Sequence, residues 1–195
     1  MSKKGINFFN NYFKLFNTSL QLVNLNDLIK ISKIILDIKK KNKKILIFGN
    51  GASASIASHV SVDLTKAANI RSMNFNEANL ITCLANDYGH ENWMARAIEF
   101  YGDKGDLIIF VSSSGKSKNV VRAAKYSRLM KYKVITLTGF SETNPLKKLG
   151  FINLWVNSKS YNIIENIHQT WLLSIIDYII ANKKIFINFL FIFFY

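Results

Sequence analysis

The sequence predicts an α/β domain with three layers, in which helices cover both faces of a parallel sheet. Short apolar runs of strand length alternate with stretches whose apolar residues recur at helical spacing. The runs are apolar at nearly every position, as expected for strands that are buried on both faces of a parallel sheet. The predicted strands lie at residues 45–51, 70–75, 106–115, 132–140 and 151–156.

The length of 195 residues is enough for one domain with a sizeable core and too short for two ordinary domains. Helical patterns at 6–16 and 20–41 precede the first strand, so we expect a helical extension over 1–42 and the main domain over 43–182. An apolar tail follows at 183–195, and its last 11 residues fall short of the roughly 20 needed to span a bilayer. No membrane span is expected. The sequence leaves three explanations of this tail open: a subunit interface, a weak membrane contact, or a tail altered by a late frameshift.

The net charge of +14 comes from 26 Lys and Arg residues against 12 Asp and Glu residues. Lysine dominates, and the chain is also rich in Ile, Asn and Phe, which is the pattern of coding sequence biased toward A and T. We therefore expect a solvated basic surface and no specific nucleic-acid partner. The single Cys83 cannot form an internal disulfide, and the N-terminus lacks the apolar segment of a signal peptide. These features favour a cytoplasmic protein.

Two loops that follow predicted strands contain closely spaced glycines and serines. The first, "GNGASAS" at 49–55, supplies Gly51 for a tight turn and the hydroxyls of Ser53 and Ser55. The second, within "VSSSGKSKNVVRAA", supplies four serines: Ser112, Ser113, Ser114 and Ser117. Free backbone N–H groups and the dipole of the following helix favour an anion there, so we expect a phosphate. Helix capping alone would also explain such loops. The fingerprints of nucleotide-binding loops are absent, and no nucleotide cofactor is expected.

The order of four motifs resembles that of the SIS (sugar isomerase) domain family: "IFGNGASASIASHVSVDLT", "ANDYG", "VSSSGKSKNVVRAA" and "VITLTGF". Within that family the chain is similar to the phosphoheptose isomerases, which convert sedoheptulose 7-phosphate to a heptose 7-phosphate for polysaccharide precursors. The resemblance covers about residues 5 to 180. It implies a five-stranded parallel sheet, a helical N-terminal extension and a homotetramer with shared sites. It also implies that the serine loop binds the phosphate of a phosphorylated sugar, with Asn50 and Ser53 nearby and Asp87 beside the sugar.

The resemblance also implies catalytic positions, at which this sequence departs from the family. Phosphoheptose isomerases have a glutamate on the helix after the first loop, where this chain has Asp63. A histidine one turn earlier is retained as His59, while a glutamine on the last helix is replaced by Glu165. The family's catalytic histidine falls on Leu173. We expect Asp63 to act as the base and His168 as the acid, with His59, Asp63 and Glu165 as candidate zinc ligands.

Helical spacing allows these side chains to converge. His59 and Asp63 are four residues apart and share a helix face, while His168 lies within about 60° of Glu165 around the last helix. They could form either an acid–base cluster or a divalent metal site. The sequence thus leaves two functions: an aldose–ketose isomerase, and a non-catalytic SIS protein that binds a sugar phosphate or a protein partner. Leu173 favours the second, but the serine loop, His59 and Asp63 lead us to expect the enzyme.

Overall fold

The structure, a computed structural model, describes the backbone of residues 2–192 and the side chains of residues 2–182. Its sheet has five parallel strands in the order β2-β1-β3-β4-β5. The strands are β1 (Ile45–Phe48), β2 (Ser72–Asn74), β3 (Leu107–Ser112), β4 (Lys133–Thr138) and β5 (Ile152–Trp155). The helices are α1 (Lys3–Gln21), α2 (Leu25–Lys40), α3 (Ala52–Lys66), α4 (Ala78–Tyr88), α5 (Trp93–Tyr101), α6 (Lys118–Leu129) and α7 (Tyr161–Ile192), with a 3-10 turn at Lys147–Leu149.

The two faces of the sheet carry separate apolar cores because side chains alternate along each strand. On β3, Ile109 and Val111 pack toward α2, α3 and α7, whereas Ile108 and Phe110 pack toward α4, α5 and α6. Every residue of β3 is buried. This confirms the predicted three-layer sandwich and explains why the strands read as continuous apolar runs rather than as alternating ones.

The N-terminal helices take part in the core of the domain. Ile31, Ile35 and Ile38 of α2 are spaced by about one turn and are buried in the same cluster as side chains of α3 and α7. The side chain of Asn24 accepts a hydrogen bond from the backbone N–H of Asn26 and so marks the start of α2.

The predicted apolar tail at 183–195 lies largely outside the described residues. The backbone of α7 continues to Ile192, and nothing is described of the side chains beyond Asn182. Across the described residues, no helix combines the length and the apolar character that crossing a bilayer requires.

All strands are parallel, but the direction in which successive strands are added to the sheet reverses between β1 and β3. From β1 the chain proceeds to β2 on one side, and it then returns to place β3 on the other side. In open α/β sheets, ligands bind beyond the carboxyl ends of the strands at such a point. The two glycine- and serine-rich loops leave β1 and β3, so this topology sets them side by side.

Candidate active site

A reciprocal pair of amides joins the two loops. Asn50 Nδ2 donates to Asn119 Oδ1 and Asn119 Nδ2 donates to Asn50 Oδ1, each across 3.0 Å. Asn119 is buried, and its Oδ1 also accepts from the backbone N–H of Val120 in the first turn of α6. The pair fixes the loop after β1 to the beginning of α6, because breaking it would leave buried polar groups without partners.

Two glycines permit the backbone geometry of these loops. Gly51 precedes α3 with φ +54°, and Gly115 lies in the serine loop with φ +61°, both in a region that side chains disfavour. A Cβ on Gly115 would also collide with the side chain of Asn144. The loop is further tied to β4, since the backbone N–H of Gly139 donates to the carbonyl of Ser113 across 2.8 Å.

The two loops enclose a small polar cavity of about 140 Å3. The side chain of Ser117 makes no capping hydrogen bond at the start of α6, so its hydroxyl and the N-terminal amides of α6 remain available to a ligand. Within the described part of the chain, no Lys or Arg lines the cavity. The lining residues, called the serine cradle below, are Asn50, Ser53, Ser112, Ser113, Ser114, Ser117, Tyr161 and Glu165.

One acidic side chain lies inside this otherwise neutral cradle. The hydroxyl of Ser113 donates to Glu165 Oε1 across 3.1 Å, and Glu165 projects from the second turn of α7. A cavity with hydroxyl and amide donors suits a phosphate, whereas a carboxylate in it repels one. Glu165 therefore occupies a donor that a phosphate would otherwise use.

A second polar group lies one turn further along α7. Gln169 Nε2 is 3.3 Å from His59 Nδ1, and His59 Nε2 is 3.4 Å from Asp63 Oδ2. With the amide as donor, Nδ1 accepts and the proton of the neutral imidazole is on Nε2, facing Asp63. The side chains of His59 and Asp63 are 48% and 37% exposed, so both can meet a ligand.

The three residues predicted to bind zinc are not brought together within the described chain. Across the described residues, no group of three His, Cys, Asp or Glu side chains is placed to hold a metal ion. His59 and Asp63 pair with each other, whereas Glu165 is directed to Ser113 in the serine cradle. The donor set of the described chain therefore does not fit zinc.

His168 differs from its predicted role as an acid. Its side chain is fully buried, its Nε2 donates to the carbonyl of Thr138 across 3.1 Å, and its Nδ1 has no hydrogen-bond partner among the described residues. Burial lowers the pKa of His168 to about 4, which the hydrogen bond to Thr138 only partly opposes. The ring is thus a neutral core group that ties α7 to the end of β4, and its position does not suit proton transfer to a substrate.

Other predicted positions lie around the cradle rather than in it. Ser55 is exposed on the first turn of α3, and Gly51 forms the turn before that helix. Asp87 is exposed near the end of α4, where its carboxylate contacts Cys83 and Asn86. Leu173, on α7, packs against the apolar core and brings no protic group to the site.

Sequence reasoning missed two residues of the site. Asn119 follows Lys118 in the second loop motif and would be expected on a helix surface, but it is buried against Asn50. Tyr161 opens α7 and lines the cradle, with its ring 4.7 Å from that of Phe140. No local sequence pattern marks either Asn119 or Tyr161 as a site residue, because the role of each depends on which loops the sheet brings together.

Comparison with known proteins identifies the family of this chain. The SIS domain family matches residues 9–139. Phosphoheptose isomerase from Aliarcobacter butzleri is 35% identical over 145 residues, covering 71% of this chain and 76% of that protein. A phosphoheptose isomerase from Helicobacter pylori is 33% identical over 154 residues, covering 75% and 80%. The family match and the fold thus define an SIS domain. More narrowly, the chain belongs to the phosphoheptose isomerase family.

Solved structures share the same architecture. The structure of a phosphoheptose isomerase from Francisella tularensis superposes with a TM-score of 0.82 at 22% identity, covering 93% of this chain and all of that one (100%). That of a phosphoheptose isomerase from Neisseria gonorrhoeae gives a TM-score of 0.81 at 22% identity, covering 91% and 98%. At this level of identity the match concerns the fold, which includes the helices on both sides of the sheet.

Proposed function

We propose that this chain is a phosphosugar isomerase that interconverts an aldose and a ketose, with sedoheptulose 7-phosphate as the expected ketose. The observation that carries the proposal is the arrangement along α7. Glu165 points into the serine cradle and Gln169, one turn later, contacts His59 beside Asp63. Glu165 and Gln169 are four residues apart, a rise of about 6 Å along α7, so neighbouring turns of one helix contact the cavity and the His59–Asp63 pair.

The serine cradle is proposed to bind the phosphate of the sugar. The phosphate has three acceptor oxygens. Its donors would be the hydroxyls of the second loop and the free backbone N–H groups at the N-termini of α3 and α6. The cradle's volume of about 140 Å3 is below the 300–1,000 Å3 of typical small-molecule sites, so it fits the phosphate rather than the whole substrate. The sugar then extends from the cradle past α7 toward His59.

The proton transfer is assigned to Asp63 and His59. The Asp63 carboxylate removes a proton from the carbon next to the carbonyl, the electrons of the C–H bond form a C=C bond, and the carbonyl oxygen takes a proton from His59 Nε2–H to give an enediol. In the return step the other hydroxyl of the enediol gives its proton back to His59 as its carbonyl forms, and Asp63 returns the first proton to the neighbouring carbon, which gives the other isomer. His59 Nε2–H is a donor beside the base, and at 3.4 Å from Asp63 it is not held in a short hydrogen bond. We assign it to the oxygen on which charge develops.

We further propose that the site is completed in a homo-oligomer, with a tetramer expected. An apolar groove of about 280 Å3 lies between α2 and α7, and α1 exposes three phenylalanines, each more than half accessible. Such apolar surface on a single chain favours association. The groove is lined by Leu25, Leu28, Ile29, Ser174, Ile175 and Tyr178, and the exposed rings are Phe8, Phe9 and Phe13. Light scattering that shows a stable monomer would contradict this part of the proposal.

The deciding experiment is an isomerase assay on sedoheptulose 7-phosphate, with and without added zinc, that follows formation of the aldose phosphate. Turnover by the wild-type chain, lost in Asp63→Asn, supports the mechanism. Binding of the sugar phosphate without turnover on any heptulose, hexulose or pentulose phosphate would instead make the chain a binding protein. The reaction is expected in the cytoplasm, in agreement with the free, exposed thiol of Cys83.

A further inference from the structure

A second polar cleft lies at the opposite end of the sheet from the serine cradle. It has a volume of about 610 Å3 and is formed by the end of α6, the first residues of β4 and the segment before β5. Because β4 is six residues long, the cleft and the cradle are separated by roughly 20 Å. The lining residues, called the basic cleft below, are Arg128, Lys131, Tyr132, Lys133, Val134, Lys148, Leu149, Gly150 and Phe151.

Four exposed cations surround this cleft: Arg128, Lys131, Lys133 and Lys148. Within the described part of the chain, none of them forms an ion pair with a carboxylate. Arg128 Nη1 donates to the carbonyl of Lys148 across 3.1 Å, which leaves its other N–H groups available. Like charges gathered around one cleft repel one another, and an anion placed among them removes that cost.

The carboxylates near the basic cleft are bound to lysines outside it. Asp37 interacts electrostatically with Lys133, but its carboxylate forms an ion pair with Lys41, whose Nζ is 2.8 Å away. Asp106, next to Tyr132, is 2.7 Å from Lys44 Nζ, and Asp103 binds the same lysine. Asp37 is therefore paired outside the cleft, and Asp103 and Asp106 share the charge of Lys44. Within the described residues no ion pair joins these carboxylates to a cation of the cleft, which keeps its positive charge.

The backbone of Lys131 supplies an independent observation. Its φ is +61°, in the left-handed region that a lysine enters only at a cost. The residue directly follows the C-cap of α6, a position at which glycine or asparagine is usual. Among the described residues, four that are not glycine have a positive φ, and two of these are Asn42 and Asn69, a residue type that tolerates this conformation. A lysine at such a position places a charge at the cleft in spite of the strain.

We propose that the basic cleft binds a polyphosphate chain, meaning at least two linked phosphates, through Lys131, Lys148 and their neighbouring cations. The volume of about 610 Å3 is that of a small-molecule site and exceeds what one phosphate needs. Multiple ammonium groups on separate segments suit an extended anion, whose charges are spaced along a chain. The polyphosphate can be free or can belong to a nucleotide.

One aromatic side chain distinguishes these two sources. The Phe151 ring is 69% exposed at the cleft, and Lys133 Nζ lies 5.1 Å from its centroid. A base can stack on an exposed ring, whereas inorganic polyphosphate gains nothing from it. If a nucleotide is the ligand, ATP should bind more tightly than tripolyphosphate, and Phe151→Ala should remove the difference. Equal affinities would identify the free chain as the ligand.

The test is calorimetric titration of the whole protein with tripolyphosphate and with ATP at about 150 mM salt, where exposed charges are screened. Lys148→Ala should weaken binding about fivefold or more, as expected for loss of one charge-assisted contact. Lys131→Gly should weaken binding similarly and also raise the melting temperature, because glycine relieves the strain at φ +61°. If Lys131→Gly melts at a higher temperature and still binds the anion more weakly, its loss of affinity cannot be due to misfolding.

Two controls separate this site from others. The triple variant Lys33→Ala, Lys66→Ala, Lys125→Ala removes three exposed charges outside the basic cleft and should bind as the wild type does. Ser117→Ala, in the serine cradle, should leave polyphosphate binding unchanged, so the outcome is independent of the isomerase proposal. No binding of either probe, or an equal loss in the triple control, would overturn the inference.

Discussion

The Ser113 hydroxyl donates a hydrogen bond to Glu165 Oε1 inside the cavity proposed to bind the substrate's phosphate. The carboxylate therefore holds a donor that the phosphate needs, and it places a negative charge where another must enter. Since no Lys or Arg of the described chain lines the cradle, the repulsion is not offset locally. If the phosphate binds in this cavity as proposed, we expect Glu165 to turn away from Ser113 when the substrate enters.

Glu165→Gln should therefore increase affinity for a sugar phosphate. The amide has the same size, can still contact Ser113 and can donate to a phosphate oxygen. Two unit charges about 4 Å apart repel by about 1 kcal/mol even in bulk water, which corresponds to about fivefold in affinity. Titration of both proteins with sedoheptulose 7-phosphate at low salt measures the change.

The matched control for this variant is Glu99→Gln, which removes one negative charge on α5, outside the cradle. It should leave affinity unchanged. The gain in Glu165→Gln should also shrink as salt is raised, because screening weakens the repulsion that the substitution removes. Weaker binding in Glu165→Gln would show that the carboxylate contacts the substrate favourably, and the repulsion argument would be wrong.

A second prediction concerns the serine hydroxyls of the cradle. Ser117→Ala removes a hydroxyl that has no capping role at the start of α6. Loss of one hydrogen bond to a charged group costs about 1.5–3 kcal/mol, so affinity for a sugar phosphate should fall at least about tenfold. Ser113→Ala should show a smaller loss, since it also frees Glu165 from its hydrogen bond. Unchanged binding in both variants would mean that the loop serves only to begin α6.

The sequence predicted the sheet and the position of the cradle for a physical reason. A strand buried on both faces, such as β3, is apolar throughout, and its end at Ser112 coincides with the change to serines and glycine. Both signals are local, so they can be read without knowledge of distant contacts. The proximity of Asn50 and Ser53 to the serine loop was expected only from the family resemblance, and the Asn50–Asn119 pair is a contact that joins the two loops.

Side-chain directions on α7 could not be predicted in the same way. Glu165, His168 and Gln169 lie within little more than one turn, so spacing alone allowed all of them to face one cavity. In the structure they contact three different groups: Ser113, Thr138 and His59. Which face of a helix is buried depends on how far it is rotated against the sheet, and neighbouring polar residues give no signal of that rotation.

A third prediction concerns the base. Asp63→Asn keeps the size of the side chain and its contact with His59 but cannot accept the substrate's proton, so kcat should fall by at least about a hundredfold. Affinity for the sugar phosphate should change little, because the phosphate binds in the serine cradle. Activity assays and titration on the same preparation separate the two effects. If activity persists in Asp63→Asn, another group must be the base.

The last prediction concerns the buried imidazole of His168 and the pH dependence of stability. Burial lowers the pKa of His168 to about 4 in the folded protein, while the unfolded chain takes up the proton near pH 6.5. Between these values the unfolded state binds more protons, so the free energy of unfolding falls as pH decreases. The contribution of His168 to this fall should be about 3 kcal/mol between pH 6.5 and 4.

His168→Gln keeps a donor for the carbonyl of Thr138 and removes the titrating ring. Its stability, measured by urea unfolding at a fixed protein concentration, should therefore depend less steeply on pH below 6.5 than that of the wild type. The control is His90→Gln, at an exposed position, which should keep the steep dependence because His168 is still present. Parallel curves for wild type and His168→Gln would show that the imidazole is not held neutral in the core. In that case its assignment as a structural rather than a catalytic group would fail.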